Sequence, residues 1–240
     1  MTRWKAFGTH LCLSIVVIGG IAAFAFTTWY PDGLWRVAGL DHLLLVMLGI
    51  DLTAGPLLTL LLYRPGKWGL KFDLVTIAVL QLAFLAYGLH TLWLARPVFL
   101  VGTAEVITVV FASEIDADDL AKAPTPELRR LSLTGPLLVG TRMPADPEKR
   151  TQAMSEFMSG GAGIERSPKY YLDYAVIAPG LLRGARDVSG NEAISESAIR
   201  STGRSADQLR WTPIISTRGE GIALLDGRTG QPLRTIATKR

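Results

Sequence analysis

The residues best placed to do chemistry lie inside an apolar run. Across residues 43–63, LLLVMLGIDLTAGPLLTLLLY, Asp51, Gly55 and Thr59 recur at i, i+4 and i+8, so one small and polar stripe runs along a helix. The run is about the length that crosses a bilayer, for which roughly 20 apolar residues are needed. A carboxyl at that depth costs about 2.5–3.5 kcal/mol on insertion scales, so Asp51 must face protein or water rather than lipid. Pro56 removes a backbone N–H and kinks the helix, which is tolerated where neighbours re-satisfy the freed carbonyl. Three uses of the acid are open. It can hydrogen-bond a neighbouring helix, with Gln81 as the candidate partner; it can help dock a helix of another protein; or it can pass protons or ions.

Other chemical tools are sparse. Of the three histidines, His42 and His90 fall near the same end of two apolar runs, where they are haem ligands or residues with polar tips in the headgroups. No histidine follows His90, so a Ser-His-Asp or Cys-His site cannot be built beyond it, and no G-x-S-x-G elbow occurs. The glycines at 160–163 lack the Lys and Ser/Thr of a phosphate loop. The one cysteine, Cys12, sits in the first apolar run and supports neither a disulfide framework nor a metal site. Tyr170, Tyr171, Tyr174 and Trp211 are core residues or an exposed recognition patch. The usual catalytic tools are missing, so no enzyme and no cofactor are expected; the rival reading as a membrane enzyme requires a cleft with paired carboxylates of perturbed pKa.

The elements that position them follow from the charge pattern. Six basic and four acidic residues occur up to Ala95, and nineteen and seventeen beyond it, so a membrane part precedes a water-soluble part of ordinary domain size. The net charge of +4 is interspersed, and nucleic acid, which demands a clustered basic face, is excluded as a partner. Apolar runs at 7–28, 43–63 and 72–94 are expected to span the bilayer. The first reads as a retained helix, since TTWYP replaces the small-residue cleavage site of a signal peptide. Within it, Gly19 and Ala23 form a small-xxx-small pair suited to close helix contact. Trp29 and Tyr30 sit where interfacial aromatics are expected, before a Pro-Asp-Gly turn. Arg3 and Lys5 share a side with Arg64, Lys67 and Lys71 after two crossings, which puts the amino terminus in the cytoplasm. Residues 96–240 then lie outside it, in the periplasm of a Gram-negative cell.

That part reads as α+β. Residues 97–112 are one bent strand or two paired strands, 135–143 a strand, and 147–158 a helix capped by Asp146. Residues 180–208 are polar and Gly-containing, so surface loop with a weak helix is expected. Strands at 211–217, 221–225 and 232–237, with an Asp226-Gly turn, form a terminal antiparallel meander.

With these residues placed, the chain resembles the type IV pilin accessory proteins, the TfpX/TfpZ family. The resemblance is carried by WYP after the first run, IDLTAGPLLTLLLY in the second, KFDL opening the third, QLAFLAYGLHTLWLARPVFLV, PADPEKR, PKYYLDY and the closing IALLDGRTGQPLRTI. It runs over nearly the whole chain. The resemblance implies an inner-membrane, non-enzymatic helper of type IV pilus assembly that binds the major pilin, itself one apolar helix with a globular head. The stripe of Asp51, Gly55, Pro56 and Thr59, with Gln81, would then lie beside the pilin helix, and Tyr170 and Tyr171 beside its head. The rival reading is a periplasmic ligand-binding or sensor module, which requires an apolar pocket with a few convergent polar groups beyond residue 96.

Overall fold

The computed structural model describes residues 2–238. The first apolar run is α1 (Arg3–Phe24), N-capped by the Thr2 hydroxyl and prolonged by a wide helical turn over Ala25–Trp29. A tight turn at Pro31–Gly33 and one helical turn, α2 (Leu34–Val37), lead to α3 (Leu40–Leu62) and then α4 (Leu70–Ala95). All three long helices are long and apolar enough to cross a membrane. They begin two to four residues earlier than the apolar runs, at Arg3, Leu40 and Leu70. Helical hydrogen bonding continues through flanking polar residues that hydropathy leaves out.

The chain divides into two compact units. Residues up to Thr27 and Leu40–Leu94 form one, and Thr28–Gly39 with everything from Ala95 onward forms the other. In the first, α1 and α3 pack along each other. The contact uses Ala6, Ser14 and Ile18 of α1, which are buried, whereas Gly19 and Ala23 are exposed. The expected small-residue contact therefore falls on the opposite face of the helix.

The second unit contains an eight-stranded mixed sheet among the described residues. The hairpin of β1 (Pro97–Gly102) and β2 (Ile107–Phe111) lies at its centre, and both strands are almost wholly buried. The capped helix α5 (Ala117–Ala121), β3 (Leu137–Thr141) and helix α6 (Pro147–Met158) follow, the last with the Asp146 cap expected of it. Next come β4 (Tyr171–Asp173), α7 (Tyr174–Gly184), β5 (Arg186–Asp187) and α8 (Glu196–Ser201). The meander closes the chain as β6 (Leu209–Ile215), β7 (Glu220–Asp226) and β8 (Pro232–Ala237). The strand order is β4-β3-β1-β2-β6-β7-β8, with β5 on β6; β1–β3 and β2–β6 are parallel and the other pairings antiparallel. Asp226 makes the final turn, its carboxylate accepting from the N–H groups of Arg228 and Thr229 at 3.0 Å.

Two expectations need correction here. Helix α7 runs through Pro179 and on to Gly184, so its last turn takes the first residues of the expected polar loop at 180–208. One lost backbone bond is outweighed because Tyr174, Ile177, Ala178 and Leu181 bury a face against the sheet. Trp29 and Tyr30, expected among lipid headgroups, instead belong to the core of the second unit. The Trp29 indole donates to the Leu133 carbonyl at 2.8 Å and the Tyr30 hydroxyl to the Ala95 carbonyl at 2.9 Å. Burial pushes the Tyr30 phenol well above its ordinary value, against the pull of Arg218 and Arg96. Residues 28–39 thus belong to the domain, held by β8 and by the Ser216 hydroxyl, which donates to the Val37 carbonyl at 2.7 Å.

Candidate functional site

The inward face of α3 is built at intervals of three and four residues from Leu40, Leu44, Met47, Asp51, Gly55, Pro56 and Thr59, all buried. The stripe read from the sequence is therefore real, and it faces its own bundle. At Gly55 the side-chain amide of Gln81, reaching over from α4, occupies the space a β-carbon would take, so a larger residue there would displace that flexible amide.

Three polar side chains from three helices meet beside it. The Thr59 hydroxyl donates to the Gly55 carbonyl at 3.0 Å and lies 2.6 Å from Nδ1 of His10. The other ring nitrogen, Nε2, meets the Gln81 amide. His10 was not among the expected participants. The usable signal was depth: His10 lies near the start of α1 and Thr59 near the end of α3, and antiparallel helices bring those ends to one level.

Asp51 stands apart from this cluster. It is 7% exposed, and among the described residues its carboxyl makes no hydrogen bond or ion pair. Gln81, its expected partner, is taken by His10. Asp51 and Thr59 line a groove of about 500 Å³ whose walls are α1 and α4 and whose lining is largely apolar. The groove can hold an apolar ligand or helix and offer it one acceptor.

The tyrosine pair is a different matter. Tyr171 is 3% exposed; its ring meets Phe99 edge-on at 5.0 Å and its hydroxyl donates to the Glu165 carbonyl at 2.7 Å. Tyr170 is half-buried and sits in an ion cluster that ties α5 and α6 to the turn before β4. Lys169 lies 3.0 Å from Asp119 and 2.8 Å from Glu156, and its ammonium is 5.2 Å from the Tyr170 ring centre. Both tyrosines thus have structural work within the domain, and Tyr171 offers no surface for recognition.

Burial lowers the Lys169 pKa, but bonds to Glu156 and Asp119 outweigh it and carry it from 10.5 up to about 12. The folded pKa is the higher one, so its stabilisation is whole below about pH 10.5 and is lost as pH rises through about 12. Lys169→Met is expected to destabilise the protein by about 1 kcal/mol at pH 8. In chemical denaturation that difference should shrink as pH climbs towards 12; a constant gap would show that the ammonium's charge is not what matters.

Comparison with known proteins bears on both units. The chain is 27% identical over 234 residues to the fimbrial assembly protein of serogroup I of Dichelobacter nodosus, covering 92% of this chain and 90% of the relative. The serogroup E1 protein of the same organism matches to the same extent. The fimbrial assembly protein of serogroups C1 and C2 is 35% identical over 122 residues, half of this chain and 92% of that relative. The chain belongs to the fimbrial assembly protein family. This agrees with the type IV pilin accessory family reached from the sequence motifs. No family model matches the chain, and no solved structure does. In this chain, then, the polar stripe lines a groove among the long apolar helices and the tyrosine pair belongs to the domain's own packing.

Proposed function

We propose that the protein is an inner-membrane accessory factor of type IV pilus assembly, a pilin-specific chaperone that holds the major pilin before it enters the assembly machinery. The amino terminus lies in the cytoplasm and the domain in the periplasm, as the basic residues at 3–5 and 64–71 favour. The observation that carries the reading is alignment with fimbrial assembly proteins over nine-tenths of both chains, across membrane helices and domain alike. The architecture supports it: a client with one apolar helix and a globular head meets a helper with spanning helices and its own domain. The role needs no catalysis.

The sensor reading gains less. A cavity of about 420 Å³ in the domain lies among Arg204, Asp207, Arg210, Asp226 and Arg228, and its lining is polar rather than apolar. Arg204 is 3.0 Å from Asp226, so part of that charge is already compensated.

Cells lacking the protein are expected to lose surface pili at least tenfold, with restoration by the wild-type chain. Asp51→Leu should insert and accumulate normally, because it removes a costly acid from the membrane, yet fail to restore piliation or pilin co-purification. Normal piliation without the protein would defeat the proposal. Normal piliation with Asp51→Leu would remove the acid from it.

A further inference from the structure

We infer that the groove between α1 and α4 is the seat of a transmembrane helix from another protein, one that presents a hydrogen-bond donor to Asp51 at mid-membrane depth. The inference deepens the proposed function and rests on it only for the identity of that helix.

His10, Thr59 and Gln81 are taken up with one another at one level of the groove. Asp51, two turns deeper along α3 and at the middle of its helix, is more than nine-tenths buried and makes no bond among the described residues. It lines the open groove rather than a closed void. A carboxyl there, away from water, is expensive unless something supplies a donor. The bundle has room for the supplier, because α3 lies along α1 whereas α4 stands further off.

The chemistry of the occupant follows by elimination. A lipid chain fits the apolar walls but carries no donor. A water-soluble molecule carries donors but gains little from walls made of residues such as Leu13, Val17 and Leu85. A spanning helix satisfies its own backbone, fills the groove with apolar side chains, and delivers one polar side chain at a set depth. Leu13 and Leu82, on the two walls, are 62% and 65% exposed, so the groove is open to a helix arriving from the side.

The test uses full-length protein in lipid nanodiscs, labelled at the sole and exposed cysteine, Cys12. The probes are Leu/Ala transmembrane peptides with Asn or Leu at the central position, followed by energy transfer. The Asn peptide is expected to bind about tenfold more tightly. Asp51→Ala should abolish that preference, whereas Asp51→Asn, which keeps an acceptor, should retain it. Leu82→Trp, which fills the groove from a position already exposed, should block both peptides. Equal binding of the two peptides, or a preference that survives Asp51→Ala, overturns the inference. So does a lipid that co-purifies in the groove and excludes both peptides. The assay contains no pilin, so its failure would leave the assembly role standing, and normal piliation in cells lacking the protein would leave the groove's preference untouched.

Discussion

Tyr171→Ala is expected to cost the domain about 3–5 kcal/mol, the range for deleting a buried aromatic side chain. Tyr171 closes a cluster that includes Val98, Phe99, Val101, Val110 and Val139, all at most 4% exposed. Truncation leaves a void against Phe99 at the centre of the sheet and strands the Glu165 carbonyl that the phenol now satisfies. For a domain of this size the thermal midpoint should fall by roughly 10 °C. Tyr171→Phe keeps the ring and loses only the hydrogen bond, so about 1 kcal/mol is expected. Burial drives the Tyr171 phenol far above its ordinary value, so the group stays neutral and no charge is lost in either variant. Thermal melts of full-length protein in detergent, read by near-UV circular dichroism, separate the two. A Tyr171→Ala protein that melts like wild type but fails to co-purify with pilin would return this residue to recognition.

Gly33→Val is expected to have the second largest effect, about 2–4 kcal/mol. Gly33 has φ +82°, where a branched residue costs about 1–2 kcal/mol. A β-carbon there would also lie 2.5 Å from the carbonyl oxygen of Thr235 in β8, and such overpacking costs about 1–3 kcal/mol. Val cannot bend out of the way, because the neighbour is backbone. The expected result is release of residues 28–39 from β8, seen as faster hydrogen exchange at Leu34 and Val37, which are now buried. Unchanged exchange there would mean that the turn is not what holds this segment to the domain.

These two variants mark different degrees of legibility. The Pro-Asp-Gly turn around Gly33 is visible in the sequence, since its residue types demand a tight reversal. What the turn packs against is not, because β8 lies some two hundred residues away. Tyr171 shows the same limit: an aromatic beside another aromatic reads equally as core or as patch until its neighbours are known.

The sequence by itself determined the elements whose cause is local. Three spans follow from apolar length, the Asp146 and Asp226 caps and turns from side-chain reach, and the closing meander from alternation around an Asp-Gly turn. The tertiary structure alone decided partnership. It set Tyr30 in the domain core, joined β1 to β3 and β2 to β6 in parallel, gave Gln81 to His10, and left Asp51 facing an open groove. A helical stripe states which side chains share a face, but which helix arrives there depends on how whole surfaces pack, and that information is spread over the entire chain.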